Sequence, residues 1–285
     1  MADVTASIGT AGTGRAGVGT RRVGGERDPL GLDLLQGLGD WRLWTMLGWQ
    51  DIRQRYRRSV IGPFWITLSM GILIALLGVI YSRIFHVDIR VYLPFFAAGY
   101  IIWGFISTCF NECCAAFQDS ERVIKQVKWP FSVYVLRVMW RNSIIFLHTI
   151  VLMIPIALIF RLTPQIETLL ILPGFLLLYA NLVWIGLTLA ILSSRFRDVV
   201  QIVQTIVTIM MFGTPILWPV STLGDLTWVA NVNPVFHFIE IVRAPMLGEA
   251  PALLSWAYAS ATIIVGSLCA ILLFRRVSRR IVYWL

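Results

Sequence analysis

The residues able to do chemistry gather at the edges of apolar runs. The stretch from Trp49 to Leu68, WQDIRQRYRRSVIGPFWITL, puts Asp51, Arg53, Arg55, Arg57 and Arg58 directly before an uncharged segment. Arginine pairs strongly with phosphate and carboxylate through its planar fork of donors. The cluster could therefore read nucleic acid, anchor the chain at a membrane surface or bind an anionic ligand. Glu112 stands alone inside a long apolar segment, which invites a proton-relay role, although it lies near one end of that segment. His86, His148 and His237 are far apart in sequence. Cys109, Cys113, Cys114 and Cys269 have no metal-ligand spacing and read as reduced packing residues. No phosphate loop of the Gly-x-x-x-x-Gly-Lys-Ser/Thr form occurs, and no carboxylate pair or Ser/His/Asp set marks a catalytic centre.

What positions these groups follows from composition. Of 285 residues, 58% are hydrophobic and only 14% charged, against about 25% charged in a soluble domain. With a mean hydropathy of +0.76, the natural solvent is lipid. The net charge of +9 is then a record of orientation rather than of nucleic-acid binding. An all-α integral membrane fold with six transmembrane helices is expected. The spans read as Val60 to Ser82, Val91 to Asn111, Asn142 to Phe160, Thr168 to Ser194, a fifth from Val199 onward, and Ala252 to Phe274. All but four of the 24 Lys and Arg fall in the N-terminal segment, the loop between spans two and three, the turn at Arg195 and Arg197, and the C-terminal tail. The four are Arg83, Arg90, Arg161 and Arg243. Positive charge stays inside, so both termini are expected to be cytoplasmic.

Residues 1–31 are rich in Gly, Thr and Ala and read as a disordered cytoplasmic tail. Residues 34–58 read as an amphipathic interface helix, and residues 60–285 as the six-span domain. At about 100° per residue, Trp41, Trp44, Thr45, Gly48, Ile52 and Tyr56 share one side of the interface helix, while Arg42, Gln50, Arg53, Gln54 and Arg57 share the other. Tryptophans beside arginines suit the headgroup layer. Arg55 departs from the pattern and projects from the apolar flank, toward headgroups or the bundle. Gly62-Pro63 turns the chain into the first span.

Between spans two and three, residues 119–130 predict a short helix with an apolar face of Val123, Ile124 and Val127, started by Asp119 or Ser120 and ended by Trp129-Pro130. Such a helix is a docking element for a partner. Arg137 and Arg141 are expected to snorkel at the base of the next span. The fifth span is broken by Pro215 and Pro219. Residues 218–250 are too interrupted for a span and too apolar for a solvated loop, so they predict two short helices re-entering from the external side, the second from Pro234. Gln201, Gln204 and Thr208 on span five are expected to face the bundle interior.

The segments WQDIRQRYRRSVIGPFW, SERVIKQVKWP and NPVFHFIEIVRAPML, set around six spans, resemble the membrane subunit of bacterial ABC exporters of cell-surface polysaccharides. That group exports O-antigen, capsule, teichoic acid or galactan, and the likeness covers about residues 34–285. The resemblance implies a non-enzymatic permease in the bacterial inner membrane, forming a homodimer with two copies of a separate ATPase. ATP and Mg would belong to that partner and no cofactor to this chain. It also implies an undecaprenyl-diphosphate-linked polysaccharide as substrate, membrane lipids as surroundings, and no nucleic acid. The loop helix would couple to the ATPase through Ser120, Glu121, Lys125 and Lys128. Arg55, Arg57 and Arg58 would meet the lipid diphosphate. Gln201, Gln204, Trp218, Phe236 and Phe238 would line the channel and its external gate. A drug exporter of the ABC class and a membrane glycosyl- or lipid-transferase are the competing expectations.

Overall fold

The computed structural model describes residues 30–57, 62, 64–220, 224 and 227–285. Arg58 lies outside them, as do residues 1–29 of the predicted tail and residues 221–223 and 225–226 of the predicted external segment. Among the described residues all regular structure is helical.

The predicted interface helix is two helices, α1 (Leu30–Gly39) and α2 (Trp41–Arg55), broken at Asp40. Then follow α3 (Phe64–Ile84), α4 (Ile89–Ala115) and the short α5 (Glu121–Gln126). The third predicted span begins earlier than expected. It runs as α6 (Phe131–Thr149), a 3-10 turn, and α7 (Met153–Phe160), so Arg137 and Arg141 lie well inside it. The remaining helices are α8 (Ile171–Arg195), α9 (Asp198–Gly213), α10 (Thr227–Val232), α11 (Pro234–Met246), α12 (Leu253–Val277) and α13 (Ile281–Trp284).

Among the described residues, five helical stretches are long and apolar enough to cross a membrane: Phe64–Ile84, Ile89–Ala115, Phe131–Phe160, Ile166–Arg195 and Leu253–Val277. The chain is a multi-pass membrane protein. The fifth predicted span is different. α9 has 16 residues, about 24 Å at 1.5 Å per residue, short of the roughly 30 Å of a bilayer core. It stops because Thr214 precedes Pro215 and is driven to an extended conformation, φ −105° and ψ 143°, as steric conflict with a following proline ring demands.

The centre of the bundle is α4, buried along most of its length and packed against α3, α6, α8, α9 and α11. Its two ends define two faces. Phe95 and Gly99 lie near one end and Glu112 near the other, about 20–25 Å away along the axis. α1, α2 and α5 sit at the Glu112 end, here the near face; α10 and α11 sit at the far face. Close approaches set the packing. A Cβ on Gly174 of α8 would lie 2.2 Å from the carbonyl oxygen of Ile241, so only glycine lets α11 seat against α8.

Candidate functional site

At the near face, α2 lies against α6. Of the residues expected to share one side, Gly48 and Ile52 are buried and Trp44, Thr45 and Tyr56 half-buried, but Trp41 is exposed, as are Arg42, Gln50, Arg53, Gln54 and Arg57 on the other side. What α2 covers is protein, since Trp44 meets Trp140 of α6 edge-on at 5.9 Å. Gly48 makes the contact possible, because a Cβ there would lie 2.9 Å from the Trp140 ring and 3.0 Å from the Arg137 carbonyl.

That approach brings Asp51 onto two arginines. Arg137 donates to both Asp51 oxygens, Nε to Oδ2 at 2.7 Å. Arg141 Nη1 donates to Asp51 Oδ2 at 2.8 Å. The other arm of Arg141 donates to Glu112 Oε2 at 2.8 Å, beside Asn142 Nδ2 at 2.9 Å. Arg55 Nη2 donates to Glu112 Oε1, also at 2.8 Å. Three cations and two anions thus form one chain across α2, α4 and α6. This corrects the expectation for Arg137 and Arg141: they do not snorkel to water, because acceptors reach them inside the protein. Arg55 faces the bundle. Glu112 already accepts from three side chains, which suits a fixed counter-charge better than a proton carrier. Nearby, burial lifts the Tyr56 phenol above its usual range, with the Arg55 charge opposing.

The docking helix is shorter than the predicted 119–130. α5 ends at Gln126, and Val127 is extended. Glu121 and Lys125 pair across one turn at 2.6 Å, and that hydrogen bond holds the Glu121 carboxyl below its ordinary range. Glu121, Lys125 and Lys128 are open to a partner. Ser120 is only 5% exposed; it sits inward at the cap position and presents no docking surface.

At the far face the segment after α9 folds back under protein. Thr214, Ile216 and Leu217 are buried, which leaves their backbone groups in need of partners. Side chains supply them. Tyr92 Oη donates to the Leu217 carbonyl at 2.5 Å and Arg243 Nη1 to the Pro215 carbonyl at 2.6 Å, while Asn233 Nδ2 donates to the Thr214 side-chain hydroxyl at 2.8 Å. Arg243 is 2% exposed. It also bonds Glu240, one turn back, through Nε at 3.0 Å and Nη2 at 2.5 Å, and lies 4.1 Å over the Phe95 ring. His237 ties α11 to its neighbours: Nε2 donates to the Asn231 carbonyl at 2.8 Å, leaving Nδ1 to accept from Ser255 at 2.9 Å.

Of the predicted gate aromatics, Trp218 and Phe236 are half-buried at this face, and Trp218 Nε1 donates to the Phe212 carbonyl at 2.9 Å. Phe238 is 3% exposed, inside the packed core; the period of α11 turns it inward. Gln201, Gln204 and Thr208, expected to face the bundle interior, instead point away from the rest of this chain with Thr205, opposite the two buried residues of α9, Val203 and Val207. Nothing in the described chain covers this polar side.

Asp33 and Tyr92 were not picked out from the sequence, and Asp51 and Arg243 were noted there as charges without their partners. For Arg243 the local signal was the three-residue spacing from Glu240.

The profile of the family described as ABC-2 type transporter matches residues 42–247. Two relatives are both named O-antigen export system permease protein RfbA. One, from Myxococcus xanthus, is 25% identical over 202 residues, covering 68% of this chain and 76% of the relative. The other, from Klebsiella pneumoniae, is 24% identical over 230 residues, covering 78% and 85%.

Proposed function

This chain belongs to the ABC-2 type transporter family, and we propose that it is the permease of an ATP-driven exporter of a lipid-linked cell-surface polysaccharide, of O-antigen type. The relatives' names support the substrate class. The observation that carries the transport reading is the polar side of α9. In the stripe of Gln201, Gln204, Thr205 and Thr208, which has no cover from its own chain, the two threonine hydroxyls bond back to the helix, and the two glutamine amides are costly against lipid. A water-filled path between two copies of the chain relieves that cost, with α9 as the fifth of six spans and the helices predicted within residues 218–250 re-entering at the external mouth.

In this arrangement the near face is cytoplasmic, in the inner membrane, and both termini lie there. Two copies of a separate ATPase bind ATP and Mg and push on α5 through Glu121, Lys125 and Lys128. Deleting the gene should trap finished glycan inside the cell. Purified chain alone should hydrolyse no ATP until the partner is added. Normal surface glycan in the deletion strain, or ATP turnover by the lone chain, would overturn the assignment.

The lipid diphosphate is recognised at the edge where α2 meets the first span. Arg57 is exposed, and Arg55 has donors beyond the one given to Glu112. Changing Arg55, Arg57 and Arg58 together to Gln should lower export about tenfold, equivalent to about 1.4 kcal/mol, with membrane insertion unchanged. Full export from the corresponding Lys variants would rule out bidentate recognition, since an ammonium cannot reproduce the fork.

A further inference from the structure

Helix α1 precedes the region that the family profile matches, residues 42–247, yet it reaches the corner where α5 feeds into α6. α6 starts without a cap of its own: Pro130 occupies the cap position and offers no side-chain acceptor. The first backbone N–H groups of a helix need acceptors, and an anion is favoured at that positive end. Asp33 supplies both. Its Oδ2 accepts from Phe131 N at 2.8 Å and its Oδ1 from Ser132 N at 2.9 Å. Ser132 Oγ answers by donating to the Asp33 carbonyl at 2.8 Å.

The contact is close and braced. A Cβ on Gly37 would lie 2.1 Å from Ser132 Oγ. Trp44 of α2 donates its indole N–H to the Gly37 carbonyl at 3.0 Å, and its ring meets Trp140 of α6. The corner itself is the weak point. Val127 is extended, and an uncapped first turn of α6 would fray and absorb any displacement of α5. With Asp33 in place that turn is closed, and α1, α2 and α6 are joined at its foot.

We propose that Asp33 is a positioning residue that stiffens the α5–α6 corner, so that a displacement of α5 moves α1, α2 and α6 as one body. This rests on the exporter reading, in which the partner ATPase pushes on α5.

The test uses the full complex in proteoliposomes, measuring ATP hydrolysed and glycan exported in the same preparation. Asp33→Asn keeps the volume but loses the anion and turns one acceptor into a donor. It should leave hydrolysis nearly unchanged and lower glycan exported per ATP several-fold, because one of the two N–H groups at the start of α6 loses its acceptor and faces a donor. Asp33→Glu, which restores the charge, should recover part of the ratio. Spin labels at Gln50 of α2 and Gln126 of α5 give a second readout. Their separation should stay constant through the ATP cycle with Asp33 and become broad and nucleotide-dependent in Asp33→Asn. An assembled Asp33→Asn complex with unchanged export per ATP and unchanged distances would overturn the proposal. A native complex that turns over ATP but moves no glycan would instead overturn the exporter reading.

Discussion

Arg243→Met should destabilise the protein by about 3–5 kcal/mol, the usual consequence of removing one partner from a buried ion pair, and should abolish export. The side chains are of similar length, so the change removes the charge and its donors with little loss of volume. Three groups lose their partner at once. The Pro215 carbonyl is left without a donor in a segment where Ile216 is fully buried. Glu240 keeps its charge with no counter-ion bonded to it, and the Phe95 ring loses its cation.

Two companions separate these effects. Arg243→Lys keeps a point charge but cannot hold Glu240 and the Pro215 carbonyl together while lying flat on a ring, so export should fall even where the melting temperature recovers. Adding Glu240→Leu to Arg243→Met removes the stranded carboxylate, and stability should largely return. Export should not, because the Pro215 carbonyl still lacks its donor. Melting in lipid nanodiscs and display of surface glycan are the measurements. A Met variant that melts within about 2 °C of native and exports normally would show that Arg243 does not hold this segment.

The second large effect is expected at Glu112. Glu112→Ala leaves Arg55, Arg141 and Asn142 without their shared acceptor. Hydrogen bonds between charged groups contribute about 1.5–3 kcal/mol each, so the loss should reach at least 2–3 kcal/mol on the same scale. Because Asp51 still holds Arg137 and Arg141, α2 should loosen at its Arg55 end rather than detach. Glu112→Gln keeps one acceptor oxygen but loses the charge and points a donor at one arginine, so its losses of stability and export should go together and fall between native and the Ala variant. A proton carrier behaves differently: the Gln variant would then be as dead as the Ala variant. Equal loss of export in both, with Gln as stable as native, would reverse the assignment of Glu112 as a fixed counter-charge.

Much of the architecture was legible because it rests on local rules. The long apolar runs mark the helices, since each backbone must satisfy its own hydrogen bonds in lipid. The shared side of Trp44, Gly48 and Ile52 on α2 follows from the helical period, though not that protein rather than headgroups covers it, and the stop of α9 follows from Thr214-Pro215. The extent of α6 was not legible. Arg137 and Arg141 broke the apolar run, so the predicted span began at Asn142, although the helix starts at Phe131. Nothing in the sequence showed that those charges meet acids rather than water.

The sequence by itself determined the solvent, most of the helices, the break at Thr214-Pro215 and the apolar faces of α2 and α5 in outline, because those depend on residue type and on neighbours three or four positions away. Only the tertiary structure decided what the charges are for. Asp33 meets Ser132 across 99 positions, Asp51 meets Arg137 across 86, Arg55 meets Glu112 across 57, and Arg243 meets Pro215 across 28. No periodicity encodes such pairs. Low dielectric makes an unpaired charge costly inside the bundle, so each must find a partner there, and which partner is set by how the helices pack.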